Sequence, residues 1–179
     1  MRTVIFKSLL TKPGDDDRII RSGLRVCSMF EELNLLIVDD DGSTIESLSH
    51  VLKRLGATRI TVARSGAEGF ALIAKSRDRF DCVISDVCMP EGTGLELLYQ
   101  IRTATIARNF RPDMCVVLMS GLASANVASV ARILDVNAFL VKPFTVNKLQ
   151  IAIASARRRT FPLDHRRYNR VDAAALRAA

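Results

Sequence analysis

Leu33 to Gly56 reads LNLLIVDDDGSTIESLSHVLKRLG, which is a strand, a polar turn and a helix in that order. The apolar run Leu33–Val38 is short and continuous, as a strand covered on both faces must be. Asp39-Asp40-Asp41 ends it. Ser43-Thr44-Ile45-Glu46 has the Ser-x-x-Glu spacing of a capping box and predicts a helix beginning near Ser43. Ile45, Leu48, Leu52 and Leu55 then recur on one helical face until Gly56 stops the pattern.

The same unit repeats outward. Arg59–Ala63, Cys82–Ser85, Cys115–Met119 and Ala138–Val141 are further runs of strand length, separated by segments with helical spacing. Ser65-Gly66-Ala67-Glu68 is a second capping pattern. Leu97, Leu98 and Ile101 mark a third helix, Val127, Val130 and Leu134 a fourth, and Thr145 to about Arg158 a fifth. Five strands alternating with five helices predict an α/β domain with a doubly wound parallel sheet. Ligands of such sheets gather beyond the carboxyl ends of the strands. The polar residues there are Asp39–Asp41, Asp86, Ser120 and Lys142, so all are expected on one edge of the sheet.

Bulk properties narrow the function classes. The 179 residues suit one domain with a sizeable core plus some extra sequence, and no apolar stretch approaches the roughly 18 residues of a bilayer span. A soluble, cytoplasmic protein without membrane association is expected. Cys27, Cys82, Cys88 and Cys115 lack Cys-x-x-Cys pairing and accompanying histidines, which disfavours zinc and disulfide frameworks. The net charge of +7 belongs to the two ends: residues 1–28 carry six Lys/Arg against three Asp, and residues 157–179 seven Arg against two Asp. The middle is nearly neutral, so nucleic-acid binding is disfavoured for the domain itself.

Carboxylates converging from neighbouring strands repel, and a cation relieves them. Oxygen ligands with room for water suit Mg²⁺. An aspartate beside such a cation can attack phosphorus, with Lys142 and the Ser120 hydroxyl meeting the phosphoryl oxygens.

LLIVDDD, VISDVCMPEGTGLELL, VVLMSG and AFLVKPF, in this order, resemble the motifs of the response regulator receiver family. The resemblance covers residues 33–157 and leaves an N-terminal extension, residues 1–32, and a basic C-terminal tail, residues 158–179. It implies a flavodoxin-like doubly wound five-stranded parallel sheet of strand order 2-1-3-4-5 with five helices. It implies that Asp86 is the phosphoacceptor, that Asp39 and Asp40 form the acidic pair, and that Asp40 binds Mg²⁺ directly while Asp39 acts through water. Asp86 and the main-chain carbonyl of Cys88 complete the implied metal site. Ser120 takes the switch-hydroxyl position and Lys142 that of the lysine before Pro143, in a bond that is cis in the family. Phe139 stands where many members have a switch Tyr, and Cys88 and Leu122 occupy two variable flanking positions. The implied function is a phosphorylation-dependent signalling switch rather than a dedicated enzyme. The implied partner is a sensor histidine kinase or histidine phosphotransfer protein, with output through protein contacts and a homodimer left open.

Two rivals differ in class. Asp39-Asp40-Asp41-Gly42-Ser43-Thr44 resembles the nucleophile element of haloacid-dehalogenase-type phosphohydrolases, but the only acids beyond Lys142, Asp164 and Asp172, lie in a segment without strand character. Arg157-Arg158-Arg159 and Arg166-Arg167 invite a receiver with a nucleic-acid-binding tail, yet about 22 residues are too few for an ordinary folded module. A solvated extension of the last helix, followed by a flexible or weakly helical Ala-rich end, is the expectation for the tail. His50-Val51-Leu52-Lys53 resembles a phosphotransfer His motif but lies on the first helix of an α/β pattern, and His165 has no visible partner.

Overall fold

A computed structural model describes residues 29–104, 111–121 and 124–177. Cys27, Leu122 and the extension up to residue 28 lie outside the described residues. Five parallel strands, β1 (Asn34–Val38), β2 (Arg59–Ala63), β3 (Cys82–Asp86), β4 (Cys115–Ser120) and β5 (Ala138–Val141), form one sheet of order β2-β1-β3-β4-β5. Helices α1 (Gly42–Arg54), α2 (Gly66–Lys75), α3 (Gly94–Thr103), α4 (Ala125–Ile133) and α5 (Val146–Arg158) connect and follow the strands, and α6 (His165–Tyr168) and α7 (Ala173–Arg177) lie outside this core.

Strand alternation divides the interior in two. Leu36 and Val38 point into a cluster with Leu97, Leu98, Ile101 and Val127, whereas Leu35 and Ile37 join Leu48, Leu52, Leu149 and Ile153. Both faces are covered, which is why β1, β3 and β4 are buried at every position. The strands match expectation to within one residue. β3 and β4 each run one residue further than expected, so Asp86 and Ser120 are held by the ladder itself.

Two expectations change. The N-cap of α1 is Asp41, not Ser43: its carboxylate accepts from the backbone N–H groups of Ser43 and Thr44 and from both hydroxyls. A charged acceptor in reach of four donors outcompetes a neutral hydroxyl. The Ser65 cap of α2 is as expected, and Thr145, expected as the first residue of α5, is its N-cap.

The C-terminal segment is not a solvated extension. Tyr168 is fully buried and Leu176 nearly so, both within the α2–α4 side of the core, and α6 and α7 pack on α3 and α4. The Tyr168 hydroxyl donates to Asp135 at 2.9 Å, and Arg167 pairs with the same carboxylate. Phe161 stacks under Arg102, whose guanidinium carbon lies 4.7 Å from the ring centre. Arg102 is itself fully buried, donating to the carbonyls of Leu134, Pro112, Met114 and Asp135 and to Asn137 Oδ1. Burial lowers its pKa to about 10, so it stays charged at neutral pH.

Candidate functional site

The carboxyl edge of the sheet brings the expected residues together. Asp39 follows β1 and is almost completely buried, Asp40 is exposed, and Asp41 is committed to the α1 cap. Asp86 ends β3 with only 6% of its surface exposed. Lys142, just past β5, reaches across to both buried carboxylates: Nζ lies 2.5 Å from Asp86 Oδ1 and 3.0 Å from Asp39 Oδ2. The remaining oxygens also have donors. Asp86 Oδ2 accepts from the Cys88 N–H at 2.7 Å, and Asp39 Oδ1 from the Asp41 N–H at 3.0 Å.

Two negative charges therefore share one ammonium group. Burial raises the Asp39 pKa above the ordinary carboxylate value despite the hydrogen bonds from Lys142 and the Asp41 N–H. Burial alone would lower the Lys142 pKa, but hydrogen bonds to Asp86 and Asp39 reverse the direction and raise it. The pocket is short of positive charge, which is the electrostatic condition for recruiting a cation.

The backbone around Asp86 is closely packed. Gly94, the first residue of α3, lies against the Asp86 carbonyl, where an added Cβ would sit 2.1 Å from the oxygen. Its N–H donates to Val87 O, and the Ser85 hydroxyl donates to Asp86 O. Gly66 approaches the Gly92 carbonyl so closely that a Cβ would lie 2.4 Å away, and Gly92 itself has φ +84°. The loop between β3 and α3 is thus pinned at both ends. Sequence reading missed Gly66, Gly94 and Arg102. It also missed the Thr93/Glu96 capping box, although Thr93-Gly94-Leu95-Glu96 carried the required spacing.

Ser120 is fully buried at the end of β4, and its carbonyl accepts from the Lys142 N–H. Phe139 sits opposite Leu118 and is half-buried against the α2–α4 side of the core. Lys142-Pro143 is cis. Cys82, Cys88 and Cys115 are free thiols.

Among the described residues, no three His, Cys, Asp or Glu side chains are grouped to hold a metal by themselves, and Asp39 and Asp86 both converge on Lys142. Mg²⁺ does not require such a cage, since it is commonly held by one or two carboxylates with water and phosphate oxygens. The buried, undercompensated Asp39 and the all-oxygen donor set fit it.

The family model for the response regulator receiver domain matches residues 35–154. A probable chemotaxis protein CheY of Rhizobium etli is 33% identical over 126 residues, covering 70% of this chain and 93% of that protein. The transcriptional regulatory protein ZraR of Klebsiella oxytoca is 32% identical over 127 residues, of which this chain spans only 26% of the length. Among solved structures, a receiver domain protein from Clostridium thermocellum has a TM-score of 0.62 at 27% identity, covering 70% of this chain and 94% of that one. A CheX-CheY-BeF3-Mg complex from Borrelia burgdorferi has a TM-score of 0.61 at 26% identity, covering 69% and 87%. This chain belongs to the response regulator receiver family. It is a phosphorylation-dependent signalling switch that takes a phosphoryl group onto an aspartate, with self-phosphorylation and self-dephosphorylation rather than a dedicated catalytic activity. Receivers of this family are partnered by histidine kinases and histidine phosphotransfer proteins. No helix among the described residues is long and apolar enough to cross a membrane.

Proposed function

We propose that Asp86 is the acceptor and that it takes the phosphoryl group from a phosphohistidine of a sensor kinase or phosphotransfer protein. The observation that carries this reading is the Lys142 bridge, which marks Asp86 and Asp39 as one charged unit at the sheet edge. An Asp86 carboxylate oxygen attacks phosphorus while the bond to the imidazole nitrogen breaks, and the imidazole leaves. Lys142 keeps its positive charge throughout and follows the charge from the carboxylate to the phosphoryl oxygens. Asp40, Asp86 and the Cys88 carbonyl would hold Mg²⁺, with Asp39 acting through water. When bound, the cation neutralises charge on the phosphoryl group during transfer.

Ser120 donates its hydroxyl to the phosphoryl group, and Phe139, with no polar group to desolvate, follows by turning inward. The surface of α4, β5 and α5 then passes the state to a protein partner or a second copy. Residues 33–157 form the receiver unit, and the segment from 158 is an appendage seated on it. The phosphohydrolase reading would instead make Asp39 the nucleophile, and receiver membership favours Asp86. A small phosphodonor with Mg²⁺, followed by borohydride trapping and mass spectrometry, should place the modification on Asp86 and lose it in Asp86→Asn. A stable adduct on Asp39 or any other residue refutes the assignment.

A further inference from the structure

The docked C-terminal segment makes two contacts at the end of the loop that begins just after Asp86. Thr93 closes the loop that begins just after Asp86, and its hydroxyl does two things: it accepts from the Glu96 N–H at 3.1 Å and donates to the Leu176 carbonyl at 2.6 Å. Glu96 returns one oxygen to the Thr93 N–H at 3.0 Å and gives the other to Arg177 at 3.1 Å. The capping box that starts α3 is therefore completed from outside by α7. Upstream, the same loop supplies the Cys88 N–H to Asp86 Oδ2, and Gly94 backs the Asp86 carbonyl. Every link in this chain is a direct contact: Leu176 and Arg177 to Thr93 and Glu96, then Gly94, then Asp86.

We propose that α7 is a positioning element for phosphoryl acceptance, with Thr93 and Leu176 as its positioning residues, so that docking of α7 and loading of the Asp86 site are thermodynamically coupled. The inference rests on Asp86 being the acceptor. A five-residue helix has no stability of its own, so α7 is held in place by Leu176, by Ala175 packed beside it and by a few polar contacts. Its docking equilibrium is shallow enough for a bound ligand to shift it. Coupling is reciprocal: if docked α7 holds the 87–93 loop in the cation-binding arrangement, a loaded site must hold α7 more firmly.

The test uses the full chain and Mg²⁺ binding measured by calorimetry. Leu176→Ala should raise the Mg²⁺ Kd by about 5-fold or more, the lower end of ordinary coupling between sites. Thr93→Val should do the same, while Thr93→Ser, which keeps both hydrogen bonds, should restore binding. In the wild type, loading with Mg²⁺ and beryllofluoride should slow amide exchange in residues 173–177, and Asp86→Asn should abolish that slowing. A purely structural role would lower Tm and leave the Mg²⁺ Kd of the folded variants unchanged, which overturns the proposal. Should the variants fail to fold, unchanged exchange at α7 in the loaded wild type overturns it equally. Absence of phosphate on Asp86 in the wild type would instead remove the acceptor assignment, and this inference with it.

Discussion

Gly94→Ala should impair phosphorylation far more than it impairs folding. The new Cβ would lie 2.1 Å from the Asp86 carbonyl oxygen, 3.0 Å from its carbonyl carbon and 3.0 Å from Ser85 Oγ. Ordinary contact begins near 3.5 Å, so backbone must separate by roughly 1 Å or more. Ser85 can turn away only by giving up its 2.8 Å hydrogen bond to the same carbonyl, and that carbonyl belongs to the last residue of a central strand. Overpacking of this kind costs about 1–3 kcal/mol, and the better helix propensity of Ala offsets up to about 1 kcal/mol of it. The folded variant should therefore melt only modestly earlier. The carboxylate of Asp86, the proposed acceptor, however, moves with its backbone relative to Lys142, and a displacement near 1 Å from reacting geometry costs on the order of 10²-fold in rate. Stopped-flow or mass-spectrometric rates with a small phosphodonor and saturating Mg²⁺, alongside a thermal melt, read the two effects separately. A wild-type rate in a normally folded Gly94→Ala protein would show that the close approach does not position Asp86.

Arg102→Leu should destabilise the domain by about 3–5 kcal/mol, because four carbonyls and Asn137 Oδ1 lose their shared buried donor; an unchanged denaturant midpoint would refute that role. Asp41→Ala should lower Tm while sparing Mg²⁺ affinity, and Asp40→Ala should do the reverse; equal losses of affinity in a metal titration would mean that the acidic triplet is misassigned. Hydrogen bonds from Thr44 and then Ser43 hold the Asp41 carboxyl well below the usual range, so its stabilisation is complete above about pH 4 and is lost as pH falls through the lower folded value. Wild-type Tm should thus fall more steeply than that of Asp41→Ala between about pH 4 and pH 2, and parallel curves would contradict the cap.

The sheet was legible because parallel strands covered on both faces leave a plain mark, a continuous apolar run between polar ends. Lys142 and Asp86 were legible for a related reason: the ends of such strands point to one edge, so their distance in sequence does not matter. The acidic triplet was harder. Three identical side chains in a row differ only in where the backbone aims them, and Asp41 became the cap because Ser43 and Thr44 present four donors to its carboxylate. Gly94 carried no local signal, since its necessity comes from a carbonyl on another element. Arg102 drew no notice, because a lone arginine beside Ile101 gives no hint that five acceptors converge on it.

The tail was misread through its charge. Seven arginines among residues 157–179 look like a solvated arm, yet several of them have internal duties: Arg159 donates to the carbonyls of Val136 and Asn137, Arg167 pairs with Asp135, and Arg177 with Glu96. Six of the seven are exposed all the same, but the guanidinium groups of Arg159, Arg167 and Arg177 are tied to the domain and do not belong to a free arm. Two apolar residues decide the matter, Tyr168 and Leu176, each burying its side chain against helices far away in sequence. Their seat also bears on output. With α6 and α7 on α3 and one flank of α4, Val141 at the end of β5 and Val146 at the start of α5 stand among the large apolar side chains left exposed. Val141 immediately precedes Lys142 and Val146 follows it by four residues, and Phe139 lies on the same strand as Val141. On the proposed reading, a partner meeting that side would contact residues next to Phe139 and Lys142 on a face the tail leaves open, so the docked segment would narrow the routes by which phosphorylation is read.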